Sequence, residues 1–418
     1  VDRNGLPLSP QPSDDPEDPL NWPLSYRIFV LLQASLLSSL GNINTAIINP
    51  AYGELSKEFG ISTVTASYQT TAAIAMNGIG PFLFVPLANA FGRRPVYIAT
   101  TLIGFASALG CAFAHSFGGL VGARLICSYS CGFFLTLSTA QASDLFCLHE
   151  RGRALGLYTV LYTGGHFAPI PSGLIGQFLG WRWIFKITAI CNGVALLFIF
   201  FFLPETLYIR DQTPSEVTKG PRTALERYLW RTKLGRSFPG RQLKLSDFVW
   251  PYVKMVRYPS VLFPAIYYSA QVVTFLAILR ILTAVTVFQI FSEEFGWNTL
   301  LIGLAYGGAL LIGSFLGETA GGWVVDRVMT RARQRAGNES APSEVRLQAI
   351  WTGEILVPAG LLIYGFSIQF QAPWIVPLVG LAIACFGVQC LTTVMYTYST
   401  DCYRDKSAEV SQVFNFIR

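Results

Sequence analysis

The residues able to do chemistry in this chain are few, and those that stand out are charges set inside apolar runs. Arg124, Arg280 and Glu318 each interrupt a stretch of Leu, Ile, Phe, Gly and Ala. An ionisable group in lipid-like surroundings is costly and is retained for a task. Glu318 is a carboxylate suited to binding and releasing a proton, and Arg124 and Arg280 supply fixed positive charge to a carboxylate or another anionic group. His166 titrates near neutrality in an unperturbed setting. This is the chemistry of proton movement and charge pairing, not of bond cleavage. Three histidines (His115, His149 and His166) are too scattered for a metal centre, and no nucleophile, base and metal set converges. Eight cysteines lie in or at the ends of apolar runs, as packing residues and not a disulfide frame. No GxxxxGK[ST] phosphate loop occurs, so nothing in the chain points to direct drive by a nucleoside triphosphate. No cofactor or metal is expected, and the protein is not expected to be an enzyme.

Around these charges run polar stripes at helical spacing. Ser35, Ser38, Asn42, Thr45 and Asn49 recur three and four apart, as do Gly132, Thr136, Thr139 and Ser143. Later in the chain come Tyr267, Gln271 and Thr274, then Gln389, Thr393, Tyr396 and Thr400. Tyr158, Tyr162 and His166 follow one another at intervals of four, a face able to stack on a cationic or aromatic solute. Polar faces inside segments this hydrophobic predict contact with protein or a wet cavity, and not with lipid.

The elements that position them follow from composition. Of 418 residues, 52% are hydrophobic and 13% charged, and a water-soluble chain of this size needs far more charge to cover its surface. The apolar residues fall in runs of about 20, the length that crosses a bilayer core. The reading is an all-α polytopic membrane protein, with spans over 27–50, 63–88, 95–115, 118–143, 153–177, 182–203, 259–288, 299–323, 347–369 and 373–400. Residues 1–26, rich in Pro and Asp, read as a disordered tail. Residues 204–258 form a basic linker between a bundle over 27–203 and a second over 259–418. Lys and Arg concentrate in the connections after the even-numbered spans, which puts those loops and the amino terminus in the cytoplasm. The net charge of +6 is thus topological and not a nucleic-acid signal. The sequon at Asn338 falls in a loop assigned to the inside. The chain reads as stopping within an eleventh span.

The two halves repeat. Ser56–Ser62 (SKEFGIS) matches Ser292–Asn298 (SEEFGWN) 236 residues on, Asn89 falls on Asp326, and Asp144 on Asp401. Both copies run in one direction, so the expectation is two parallel bundles with a small-molecule substrate between them.

Several motifs carry a resemblance. Leu87-Ala88-Asn89-Ala90-Phe91-Gly92-Arg93-Arg94-Pro95 resembles the signature loop between the second and third helices of the major facilitator superfamily, with Asn89 where the family has Asp. Gly322-Trp323-Val324-Val325-Asp326-Arg327, with Arg331 beyond, resembles its second copy. Asp14–Trp22, Asp144-Leu145-Phe146, Glu150-Arg151-Gly152 and Pro204-Glu205-Thr206-Leu207-Tyr208 resemble the fungal branch related to drug:proton antiporters. The resemblance implies a 6+6 helix fold and alternating access. It also implies two charge clusters that latch the halves: Arg93 and Arg94 with Asp144 and Glu150, near Gly92 and Arg151, and Arg327 and Arg331 with Asp401 and Glu409, near Gly322. Arg124 matches the family's embedded arginine, linked there to proton transfer. Gly156, Gly164, Ala168-Pro169 and Ser172-Gly173 fit an altered form of the antiporter signature of the fifth helix. The function expected is proton-coupled efflux of small organic or cationic compounds by a monomer in the lipid bilayer of the plasma membrane. The alternatives are the vacuolar membrane as the site, uptake of polyamines or other nutrients as the direction, and nutrient sensing without flux.

Overall fold

The computed structural model describes residues 11–13, 15, 18–208, 228, 232, 245–271, 290–292, 295–335, 343–402, 410, 413, 416 and 417. Regular structure among them is helical: α1 (Leu24–Ala46), α2 (Tyr52–Phe59), α3 (Thr63–Phe91), α4 (Arg93–Ala112), α5 (Phe117–Leu145), α6 (Leu148–Thr163), α7 (Pro169–Leu179), α8 (Trp181–Phe202), α9 (Trp250–Val256), α10 (Pro259–Gln271), α11 (Thr299–Arg335), α12 (Trp351–Gln369) and α13 (Ile375–Cys402). Ser62 and Ser116 cap α3 and α5 by accepting the N–H groups of Thr65 and Gly119. Gly92 (φ 98°) and Gly180 (φ 83°) make the abrupt reversals into α4 and α8, a backbone region closed to most side chains.

Among the described residues, eight stretches are long and apolar enough to cross a bilayer. The fifth expected span misses that measure because it is broken. Gly164–Phe167 is a 3₁₀ turn, and Pro169 starts a new helix after it. Proline has no N–H to continue the ladder, so α6 and α7 meet at a bend. The seventh expected span is described only over α10, and 272–289 lie outside the described residues, as does the sequon. Other boundaries shift by a few residues except at α11. It runs on to Arg335, so Asp326, Arg327 and Arg331 ride on an exposed helix and not in a loop.

The amino-terminal segment differs more. Of the tail expected to lack structure, the part nearest α1 is docked. Asp18, fully buried, accepts hydrogen bonds from the Ser13 N–H (2.9 Å), the Ser13 hydroxyl (3.1 Å) and the Leu20 N–H (3.0 Å). Leu20 and Trp22 are buried behind it, with Trp22 packed on Tyr26. A buried carboxylate is tolerable because several donors meet it.

Helices α1, α3, α4, α5, α6, α7 and α8 pack as one group. Helices α10, α11 and α12 pack around α13 as the other. The α3–α5 contact is glycine-lined: Gly80 lies against the Tyr129 carbonyl and Gly132 against that of Asn77, leaving no room for a Cβ at either. The two groups meet where α6 and α7 pack on α11. A Cβ on Gly303 of α11 would sit 2.6 Å from the Pro169 carbonyl oxygen, and one on Gly173 of α7 would sit 2.9 Å from that of Thr299. Ile47, Tyr52, Ile302 and Tyr306 share one buried apolar cluster that continues across this seam. The opposite surfaces, such as Val194 and Leu197 on α8 and Ile355 and Leu362 on α12, are apolar and exposed, as a lipid-facing rim requires.

Candidate functional site

Arg124 is 1% exposed, near the start of α5. Its guanidinium donates to the carbonyl oxygens of Asn44 (2.5 Å) and Thr45 (2.9 Å) at the last turn of α1, and lies 5.6 Å from the Phe185 ring centroid. The last carbonyls of a helix have no intrahelical donor and carry partial negative charge, so they suit a cation. Asn44 is itself held by Asn192 of α8. The two side-chain amides exchange a reciprocal pair of hydrogen bonds, each 3.2 Å. Neither asparagine stood out in the sequence. Asn44 falls off the polar stripe of α1, and Asn192 is an isolated amide in an apolar run.

Helix α6 links the two polar sets. Tyr162 donates its hydroxyl to the Asn42 side chain (3.3 Å), and the Asn42 amide reaches the Tyr162 carbonyl (3.4 Å). Gly165, just beyond, permits this approach: a Cβ there would be 2.8 Å from Asn42 Cβ. One turn earlier on the same face, Thr159 donates its hydroxyl to the Gly156 carbonyl (3.0 Å) and lies beside the Glu318 carboxylate of α11. Gln389 and Thr393 of α13 donate to Glu318 Oε2 at 2.6 and 3.4 Å. Among the described residues no salt bridge to Glu318 is formed, so the carboxylate is held by neutral donors. Thr45, also half-buried, receives the Asn77 amide at 3.4 Å.

The sequence-predicted residues therefore divide. Asn42 meets Tyr162, Arg124 meets the Thr45 carbonyl, and Glu318 meets Gln389 and Thr393. Thr136 (0% exposed) and Tyr158 (2%) are instead packed inside the amino-terminal group, Tyr158 stacked on Tyr162. Asn49 accepts the Tyr52 hydroxyl at 2.8 Å, a structural bond near the end of the first span. His166 is buried in the 3₁₀ turn where α1 and α11 converge. The side chains of Thr139, Glu150, Arg151, Gln271, Tyr396 and Asp401, and residues Thr274, Arg280 and Glu409, lie outside the described residues.

At the α3–α4 turn, Arg93 forms the expected ion pair with Asp144, now within the last turn of α5. Arg94 does not join it. Its guanidinium donates to the carbonyls of Phe200 (2.5 Å) and Thr232. Glu205 organises this turn, and its role was not read from the sequence. Its carboxylate accepts the backbone N–H groups of Arg93 (3.0 Å), Arg94 (3.1 Å) and Leu207 (2.9 Å), capping α4 from the far end of the bundle's chain. Asn89, near the end of α3, is exposed. In the second copy Arg327 stacks on Trp323 (4.5 Å), Gly322 has open space where a Cβ would point, and Asp326 and Arg331 are exposed.

The sequence profile of the Major Facilitator Superfamily matches residues 34–418. The chain belongs to that superfamily. It is an integral, multi-pass membrane transporter. It is 28% identical over 404 residues to an MFS-type transporter of Macrophomina phaseolina, covering 94% of this chain and 76% of the relative. An efflux pump of Floropilus chiversii is 26% identical, with 93% and 71% covered, and a cycloheximide resistance protein of Candida maltosa is 26% identical, with 92% and 70% covered. Among solved structures, the xylose transporter XylE of E. coli in a partially occluded inward-open conformation superposes with a TM-score of 0.66 at 17% identity, covering 94% of this chain and 89% of that one. The shared fold is the all-α, polytopic fold of the superfamily.

Proposed function

We propose that this transporter exports small organic or cationic compounds in exchange for protons. The observation that carries the reading is the Glu318 carboxylate, held by Gln389 and Thr393, beside Thr159 of the facing group and paired with no described cation. A carboxylate so placed alternates between a charged and a neutral form, and the two forms favour different arrangements of the groups that contact it. Arg124 supplies the fixed positive charge of the amino-terminal group, and the Asn42–Tyr162 pair shares the α6 face with Thr159. The efflux pump and resistance protein among the relatives support export as the direction. In this proposal the amino terminus and basic loops face the cytoplasm, and the membrane is the plasma membrane.

The test is flux of candidate drugs and polyamines in proteoliposomes under an imposed pH gradient. Glu318→Gln is expected to abolish acceleration by the gradient, and Arg124→Ala to slow transport at every pH. Unchanged rates and pH dependence in both variants would refute proton coupling through these groups.

A further inference from the structure

Helix α9, just ahead of α10, has one buried face and one exposed apolar face. Tyr252 (5% exposed) and Met255 (0%) point into the protein. Val249 (58%), Trp250 (57%), Val253 (40%) and Val256 (39%) share the other side at helical spacing. Lys254 and Arg257 are exposed along one edge of that apolar face, the Arg257 guanidinium 5.8 Å from the Trp250 ring centroid. The exposed apolar surface continues onto α10 through Phe263 (68%) and Ile266 (49%), in a segment read as the start of a membrane span. On its buried side, the Tyr252 ring packs edge-on against Phe82 of α3 at 4.6 Å, and Phe416 packs on the other side of Phe82 at 4.8 Å. A short helix with a Trp-bearing apolar face, a cationic edge and a lipid-facing continuation has the form of an interfacial element.

We infer that α9 lies in the plane of the bilayer surface, with its apolar face among acyl chains and Lys254 and Arg257 on anionic lipid headgroups. The occupant is the membrane itself. The exposed face runs directly into the surface of α10, and its two cations match the negative surface potential of a leaflet carrying anionic lipid. The tethering consequence is positional: the bilayer holds Tyr252 against Phe82, where the linker, α3 and the last described residues meet.

The experiment uses the full chain in vesicles of phosphatidylcholine with or without phosphatidylserine, and it needs no substrate, so its failure leaves the transport reading untouched. The difference in emission between the native protein and Trp250→Phe isolates Trp250. Brominated acyl chains are expected to quench that difference signal and aqueous iodide to leave it. Spin-labelled phosphatidylserine is expected to be retained over phosphatidylcholine, with about two-fold less preference in the Lys254→Gln/Arg257→Gln double variant. Added inorganic phosphate is expected not to compete. Quenching of Trp250 by iodide alone, an unchanged preference in the double variant, or full competition by free phosphate would each overturn the inference.

Discussion

The Glu205 carboxylate and the backbone N–H of Arg93 are 112 residues apart in sequence and 3.0 Å apart in space. This bond, with its neighbour at Arg94, closes the start of α4 against the segment that leaves α8. The first N–H groups of a helix need acceptors, and a carboxylate there also meets the positive end of the helix dipole.

Glu205→Ala is expected to lower stability by about 1–3 kcal/mol, since it leaves buried N–H groups without an acceptor. Glu205→Gln, with one remaining acceptor oxygen and no charge, should fall between it and the native protein. Thermal unfolding in detergent checks the order; equal midpoints for all three proteins would contradict the capping role.

Arg124→Lys keeps the charge but not the fork that reaches two carbonyls at once. It is expected to destabilise by about 1–3 kcal/mol through the carbonyl left unpaired. Asn192→Leu should act in the same direction by removing the donor to the Asn44 side-chain oxygen. If the two changes are combined, their effects should be less than additive, because Asn44 belongs to both. A double-mutant cycle in unfolding measurements decides it.

Gly303→Leu on α11 cannot be accommodated without moving α7, because even a Cβ would meet the Pro169 carbonyl oxygen at 2.6 Å. The expected result is a chain that inserts in the membrane but has a widened α7–α11 separation. Spin labels on the two helices would report it, and an unchanged distance distribution would count against the packing described.

Asp18→Ala removes the acceptor for Ser13 and Leu20 and is expected to release the docked segment. Tyr208 anchors the same region, donating its hydroxyl to Asp15 at 3.1 Å. Burial, reinforced by the Asp15 carboxylate, pushes the Tyr208 phenol up, so it stays a donor across the neutral range. Limited proteolysis near residues 11–23 should therefore be faster in Asp18→Ala and, in the native protein, unchanged from neutral pH upward until the solution is strongly alkaline.

Apolar run length was enough to locate most spans, because lipid leaves a helix as the way to satisfy the backbone. The bend at Pro169 has a local cause, the N–H that proline lacks. Glu318 was legible as a charge in an apolar run and Gln389 and Thr393 as a polar stripe, while their meeting was not. The roles of Glu205, Asn44 and Asn192 were not, since each depends on which carbonyl or N–H a distant segment delivers. Burial of Thr136 and Tyr158 was not legible either, because a polar stripe looks alike whether it lines a wet space or bonds within a bundle. The Asp18 segment reads as polar and proline-rich, and only its tertiary partners reveal why it docks.

The α7–α11 seam holds a last implication. Pro169, Gly173 and Gly303 bring backbone to backbone, and the Ile170 side chain lies against Gly307 one turn further on. A joint built around glycines has few knobs to unseat before it turns. One helix group is free to roll over the other as on a smooth bearing, while the helices on either side stay rigid.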